Sequence, residues 1–156
     1  MMWRWLAGGA FVLAIPFVGL AFLSLFARKP ANVGIPTTKL APCPSKDNCV
    51  CSQDVGAGSF IEPFPLGVDP GRTWNALRQM LRTGERMKLV VDEPNYLHVE
   101  SHTTIYRFVD DMEFVRDSAS NVIHVRASAR SGKYDMSANR RRIDRIRSEL
   151  ARVTGS

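Results

Sequence analysis

Residues 87–130 read MKLVVDEPNYLHVESHTTIYRFVDDMEFVRDSASNVIHVRASAR. Apolar and polar residues alternate along this stretch, which is typical of β-strands that bury one face. The alternation predicts strands over 87–92, 96–102, 105–116 and 122–130. Because polar turns of a few residues separate successive strands at 93–95 and 117–121, antiparallel pairing is favoured.

A helix is predicted on each side of this meander. Asp69 as N-cap and Pro70 at the first helical position mark the start of the first helix, and Gly84 marks its end. The second helix is predicted from Ser137 to about Val153, where apolar residues recur three and four positions apart. The fold class is therefore α+β, a two-layer domain with a four-stranded antiparallel meander flanked by an N-terminal and a C-terminal helix.

The N-terminal part of the chain differs from this domain in composition. Residues 6–26 are uncharged and numerous enough to cross a hydrocarbon core of about 30 Å. No good small-x-small cleavage site follows them, which favours an uncleaved transmembrane helix and a membrane anchor over residues 1–29. Residues 30–68, rich in Pro and Gly, are predicted to form a stalk and then an extended segment laid on the domain, which spans 69–156.

The distribution of charge bears on partners and orientation. The net charge is +6, and from Arg126 onwards nine basic residues face only Asp135, Asp144 and Glu149. Basic residues flank the apolar run on both sides, with a weak excess that favours a cytoplasmic domain. Because the basic residues are not interleaved with a series of aromatic residues that could stack on bases, and because an anchor precedes them, nucleic acid is not an expected partner.

All three cysteines lie in the segment CPSKDNCVC, residues 43–51. A disulfide from Cys43 to Cys49 or Cys51 is the favoured interpretation, and it would require an oxidising compartment. Inert thiols remain an alternative. A structural zinc site would need a fourth ligand, and the Cys-x-Cys spacing of the last two differs from the Cys-x-x-Cys spacing of redox pairs. No metal or cofactor is predicted.

The stretch RASARSGKYDMSANRRRI, residues 126–143, carries six positive charges and one negative charge. Arg126 and Arg130 share the polar face of the last predicted strand. Three consecutive arginines, residues 140–142, fall in the first turn of the last helix, where the helix dipole disfavours cations. A negative partner is therefore expected close to these arginines.

That partner could belong to this chain or come from outside it. Asp110 shares the apolar face of its strand, so we expect it to be partly buried and to need an arginine. Guanidinium groups beside free helix amides would instead bind a phosphate or a carboxylate from outside. Contact with anionic lipid headgroups is a third possibility.

Three segments, PCPSKDNCVCSQ (42–53), RFVDDMEF (107–114) and HVRASARSGKYDMSANRRRI (124–143), resemble the family called domain of unknown function 1499. The resemblance covers roughly residues 40–150. The motif positions that it assigns are Cys43, Cys49, Asp110, Asp111, Arg126, Arg130, Gly132, Asp135, Asn139, Arg142 and Ile143. The departures from the pattern are Cys51, Ala127 and Ala129 at expected serines, and Ser137 at an expected glycine. A mechanism that uses those serine hydroxyls is therefore disfavoured.

The resemblance implies a home in bacterial envelopes or plastids. Together with the paired cysteines, it favours a single-pass protein of the cell membrane whose domain is extracytoplasmic (periplasmic), against the weak charge count. The favoured function is a non-enzymatic envelope module that binds an anionic small molecule, lipid headgroup or other partner. Its candidate ligand-binding residues are Arg126, Arg130, Asp110, Asp111, Asp135, Asn139 and Arg142.

The alternative is an enzyme that acts on an anionic substrate. Asp110 or Asp111 would serve as a base while Arg126 and Arg130 stabilise an oxyanion, and His124 lies on the same strand face as Arg126. The sequence contains no nucleophile motif, no His/Glu metal cluster and no glycine-rich phosphate loop. No residue is therefore assigned as catalytic.

Overall fold

The computed structural model describes residues 28–36, 38–45, 47–103 and 108–155. The predicted transmembrane helix, residues 6–26, lies outside these ranges, as do the first residues of the strand predicted over 105–116. Among the described helices, none has the length and apolar character needed to cross a bilayer.

The described residues form one antiparallel sheet and two helices, which confirms the α+β class. The strands follow the order β1-β6-β5-β4-β3, and β2 pairs with the same edge of β6 as β1 does. The strands are β1 (Cys49–Cys51), β2 (Phe64–Pro65), β3 (Met87–Glu93), β4 (Tyr96–His102), β5 (Val109–Asp117) and β6 (Val122–Ala129), and the helices are α1 (Pro70–Thr83) and α2 (Ala138–Thr154).

The helices begin and end close to their predicted limits. The Asp69 carboxylate accepts a hydrogen bond from the Arg72 backbone N–H at 2.9 Å, which caps α1 as the sequence predicts. The predicted four-stranded meander is present as β3 to β6. It is extended to six strands by β1 and β2, which contain three and two residues and are too short to show an alternating pattern.

Both helices pack on one face of the sheet and bury an apolar core. Burial of each large apolar side chain contributes about 1.5–3 kcal/mol. The largest of these buried side chains are Phe64, Leu66, Trp74, Leu77, Leu81, Leu97, Met112, Phe114, Ile123 and Ile143.

The opposite face of the sheet is covered by the strap, which we define as the described residues 28–36 and 38–45. Val33 and Leu40 of the strap are buried, and Leu40 packs in a small apolar cluster with Tyr96. The Gly34 backbone N–H donates to the Tyr96 hydroxyl at 3.0 Å. The first part of the segment predicted as a stalk therefore lies on the sheet.

A disulfide joins Cys43 at the end of the strap to Cys49 in β1, with an S–S distance of 2.05 Å. Cys51 is a free and buried thiol. Burial raises the pKa of Cys51, so this sulfur is a poor nucleophile at neutral pH. The disulfide ties the cover of one sheet face to the edge of the sheet.

Gly34→Ala should loosen the strap. Gly34 has a φ of +76°, and an added Cβ would lie 2.8 Å from Nδ1 of the buried His98 ring. Gly56 has a φ of +83° with open space around it, so Gly56→Ala carries only the backbone strain of about 1–2 kcal/mol. Urea denaturation should show a larger loss of stability for Gly34→Ala than for Gly56→Ala. Equal losses would contradict the tight contact between strap and sheet.

Candidate functional site

The sheet face under the strap carries a network of charged side chains. Residues at alternate positions of β4, β5 and β6 face the strap and meet across neighbouring strands. The register places Glu113 between His98 and Arg126, and Asp111 opposite Glu100. Arg126, His98, Glu113 and Asp111 are each at most 4 % exposed. The polar face of β6 on which the sequence places Arg126 is therefore covered at this residue.

Arg126 is held by Glu113. Its Nη1 donates to Glu113 Oε2 at 3.2 Å, and the Tyr96 hydroxyl donates to Glu113 Oε1 at 2.5 Å. Burial and the hydrogen bond to Glu113 raise the pKa of Tyr96, which keeps its hydroxyl protonated. The Glu113 carboxylate thus has a partner for each oxygen.

Arg130 is held by two carboxylates. Its Nε and Nη2 donate to the two oxygens of Asp111 at 2.8 and 2.7 Å, and Nη2 also donates to Glu100 at 2.5 Å. His98 Nε2 lies 2.8 Å from Asp111 Oδ1. Burial raises the pKa of Asp111, but hydrogen bonds from Arg130 and His98 outweigh it and leave that pKa below its usual range. The same contact with Asp111 raises the pKa of Arg130.

Asp110 points to the other face of the sheet, towards α2. Arg142 Nη2 lies 2.8 Å from Asp110 Oδ2, and Arg142 Nη1 donates to Asn139 Oδ1 at 2.6 Å. Burial raises the pKa of Asp110, and Arg142 offsets only part of this effect. Asp110 is therefore buried and paired with an arginine, as its place on the apolar face predicts.

Asp135 and Asn139 hold the start of α2 in place. The Asp135 carboxylate accepts a hydrogen bond from the Asn139 backbone N–H at 2.9 Å. Asn139 Nδ2 donates to the Asn48 carbonyl oxygen at 3.1 Å, and Asn48 Nδ2 donates to the Gly132 carbonyl oxygen at 2.8 Å. These contacts join the residue before β1 to the loop between β6 and α2.

A second cluster of positive charge lies on the helical side of the molecule. The cationic cleft, about 300 Å³ in volume, opens between the first turns of α2 and the turn before β3. The charged and ionisable residues that line it are Glu85, Arg86, His102, Arg141, Arg142 and Arg145.

Two arginines of the cationic cleft have no carboxylate partner among the described residues. Arg142 is paired with Asp110, and Arg86 lies 3.5 Å from Glu85. Arg141 donates to the Met136 carbonyl oxygen. In the part of the chain that the structure describes, no carboxylate pairs with Arg141 or Arg145. The cleft therefore carries surplus positive charge.

Of the cleft arginines, Arg142 is among the ligand-binding residues predicted from the sequence, and Arg141 is considered there only as part of the run 140–142. Arg86 and Arg145 are missed. Arg141 and Arg145 are four positions apart on α2 and therefore lie on one helix face, which is a signal that the sequence does contain. Arg86 reaches the cleft from the turn after α1, with a φ of +59° that is unfavourable for a residue with a Cβ. No sequence pattern indicates that this turn meets α2.

Residues 39–150 match the family described as Protein of unknown function (DUF1499). The chain belongs to this family. The resemblance inferred from its cysteine, aspartate and arginine motifs is confirmed. Comparisons with curated proteins and with solved structures give no significant match.

The candidate residues of this DUF1499 domain do not form one site. Asp111, Arg126 and Arg130 lie beneath the strap, whereas the others lie on the helical side around the start of α2. Among the described residues, no group of three or more His, Cys, Asp or Glu side chains is placed to hold a metal ion. Among the described residues, the cationic cleft brings together two exposed arginines, Arg141 and Arg145, with which no carboxylate pairs.

Asp111→Asn should destabilise the protein by about 3–5 kcal/mol at neutral pH, because Arg130 and His98 lose a buried carboxylate. The folded-state pKa of Asp111 is depressed, so its contribution is complete above the unfolded pKa of about 3.9 and is lost as the pH falls through the folded pKa. Urea denaturation should show the full difference from the unmodified protein at neutral pH and a smaller one below about pH 4.

A matched control is Asp144→Asn, because Asp144 pairs with Arg147 on the surface of α2. Its loss should stay below about 1 kcal/mol. A stability difference for Asp111→Asn that does not change with pH would contradict an ionised, paired Asp111.

Proposed function

We propose that this DUF1499 protein is a membrane-anchored envelope module that binds an anionic ligand without changing it chemically, and that the cationic cleft is the binding site. The surplus charge of Arg141 and Arg145 carries the proposal. Guanidinium groups present several N–H donors in a fixed plane and bind phosphate or carboxylate oxygens through charge-assisted hydrogen bonds. Arg142 lines the same cleft.

Arg126 and Arg130 support the fold in this proposal. Each donates to carboxylates beneath the strap, and an external anion would have to displace Glu113 or Asp111 from a buried pair. Breaking such a pair costs about 3–5 kcal/mol. A ligand gains more at arginines that lack an internal carboxylate.

Asp110, Asp135 and Asn139 act as positioning residues. Asp110 and Asn139 fix the Arg142 guanidinium from two sides, and Asp135 caps the helix that carries Arg141 and Arg142. The carboxylates therefore set the geometry of the arginines and do not touch the ligand.

Membrane anchoring and an extracytoplasmic, periplasmic placement belong to the same proposal. The uncharged residues 6–26 support an anchor. The Cys43–Cys49 disulfide supports an oxidising compartment. Anionic small molecules and lipid headgroups are both present in such an envelope.

The enzyme alternative has less support from the geometry. Asp110 and Asp111 point to opposite faces of the sheet, and each is occupied by an arginine. His124 contacts Ser52 at 3.2 Å and lies 3.6 Å from Asp117, so it is not coupled to Asp110 or Asp111. These groups do not converge on a common position for a reacting atom.

The double variant Arg141→Gln/Arg145→Gln should bind inorganic phosphate at least about tenfold more weakly than the unmodified chain, because two charge-assisted donors are lost. Calorimetry on the full chain in nanodiscs of phosphatidylcholine measures this. Arg152→Gln is the matched control, since Arg152 lies on the same helix, is 77 % exposed and is absent from the cleft lining. Unchanged phosphate affinity in the double variant, or none in the unmodified chain, would overturn the proposed site.

The cysteine oxidation state should report the compartment. Protein trapped with acid in its own cells and alkylated after denaturation should take up one label without reductant, on Cys51, and three after reduction. In the variant Cys51→Ser the label without reductant should disappear, which identifies the free thiol. Three labels without reductant would place the domain in a reducing compartment and contradict the extracytoplasmic placement.

A further inference from the structure

We infer that the ligand is a single-chain amphiphile, whose anionic head binds in the cationic cleft and whose alkyl chain lies in an adjoining apolar cleft. The inference rests on the proposed function, because it takes the cationic cleft as the site of the head. It adds the chemical class of the ligand and a second binding region, defined below as the apolar cleft.

The apolar cleft lies between the end of α1, the turn before β3 and the middle of α2, with a volume of about 350 Å³. Its apolar lining consists of Met80, Leu81, Met87 and Ile146. Leu81 and Ile146 belong to the buried core, and the two methionines are partly buried against it. These apolar residues are buried or half-buried and form the inner wall of the cleft, which is the part that can hold an alkyl chain. The exposed residues of the lining, Thr83, Glu85, Arg86, Arg145 and Glu149, are polar or charged.

The two clefts are continuous. Both are lined by Arg86, Met87 and Arg145, together with Glu85. An anionic group at Arg145 would therefore lie next to the opening of the apolar cleft. Because the two clefts share these lining residues, the anionic head of an amphiphile and its alkyl chain could bind next to each other.

Gly84 and the methionines give the apolar cleft an adaptable shape. A Cβ added to Gly84 would lie 2.7 Å from Met87 Sδ and 3.0 Å from the Met80 carbonyl oxygen, so the glycine is what lets the Met87 side chain lie against the end of α1. Methionine side chains are unbranched and polarizable, and they refill a space when its content changes. Such a lining accommodates alkyl chains of different lengths.

The length of chain before the strap would keep the domain near a bilayer, if residues 6–26 form the anchor. Val33 is already buried against the domain, so only residues 27–32 separate the apolar run from the folded part. Six extended residues span at most about 20 Å. The domain would then be held close to the membrane surface, where single-chain amphiphiles are concentrated.

The position of the apolar side chains favours one chain over a whole bilayer surface as the occupant. A docked bilayer would require apolar side chains that protrude around the arginines. The exposed large apolar residues of the described ranges are Ile35, Val55, Val68, Val90, Tyr134, Met136 and Val153. None of them lines either cleft, although the Met136 carbonyl oxygen accepts a hydrogen bond from Arg141. The apolar surface beside Arg145 is recessed.

A series of alkyl phosphates from ethyl to octyl tests the inference on the full chain in phosphatidylcholine nanodiscs. Empty nanodiscs give the partition of each compound into lipid, which is subtracted. The affinity should rise by up to about fourfold per methylene until the apolar cleft is filled. Arg141→Gln/Arg145→Gln should weaken every member of the series by the same factor.

Met80→Gln supplies the matched test of the tail region, because Met80 lines the apolar cleft but not the cationic cleft. It should leave ethyl phosphate binding unchanged and reduce the gain from ethyl to octyl by about tenfold or more. The melting temperature of Met80→Gln is measured in parallel to check that the variant folds. The chain-length series is measured on the unmodified protein and does not depend on any variant.

The outcomes distinguish a failure of the inference alone from a failure of the proposed function. Equal affinity for ethyl and octyl phosphate would overturn the inference and leave anion binding standing, whereas no binding of any member would overturn both. Binding to vesicles of anionic lipid without binding of free octyl phosphate would assign the cleft to a membrane surface and would also overturn the inference.

Discussion

The carboxylate of Asp111 is the group on which the covered face of the sheet depends. Both of its oxygens accept hydrogen bonds from Arg130, and His98 lies against one of them. A carboxylate transferred from water to a protein interior costs several kcal/mol unless its oxygens are satisfied. Because this one is satisfied across three adjacent strands, the strap can exclude water from the face without leaving a charge unpaired.

The same requirement explains the composition of the strap. A second apolar layer would need large apolar side chains on both surfaces, but the sheet offers Tyr96, Glu113 and Arg126 here. The strap instead contains a glycine, whose backbone N–H donates to the Tyr96 hydroxyl. Few of its described apolar side chains are buried, among them Val33 and Leu40. Backbone donors and small residues satisfy polar groups that a helix, with its amides already bonded, could not reach.

The three arginines at the start of α2 show how this fold tolerates cations at a helix N-terminus. Arg140 donates to the Gly58 and Phe60 carbonyl oxygens, and Arg142 pairs with Asp110. Only Arg141 has neither a carboxylate nor a contact outside its own loop among the described residues. The unfavourable dipole interaction of about 0.3–1 kcal/mol per group is therefore offset for Arg140 and Arg142. The third arginine, Arg141, faces the cationic cleft.

The sequence predicts what periodicity controls and misses what long-range contacts control. The alternation in 87–130 predicts the meander, and it places Asp110 on the buried face because apolar neighbours flank it. It cannot show that the strap covers Arg126, since Pro- and Gly-rich residues have no periodicity that assigns them to a face. Nor can it place Arg86 beside Arg145, because that contact depends on how α1 and α2 pack.

The residues that stabilise the fold are also distinct from those that we propose to bind a ligand. Adjacent residues of β5 serve opposite faces: Asp111 stabilises the strap side, and Asp110 positions Arg142 beside the cationic cleft. The arginines at the family-motif positions are thus largely engaged in charge pairs within the chain. In the described part of the chain no carboxylate pairs with Arg141 or Arg145, which are exposed and lie four positions apart on α2, and Arg145 also borders the apolar cleft. Under the proposed function, binding specificity would therefore depend on residues that the family motifs do not emphasise.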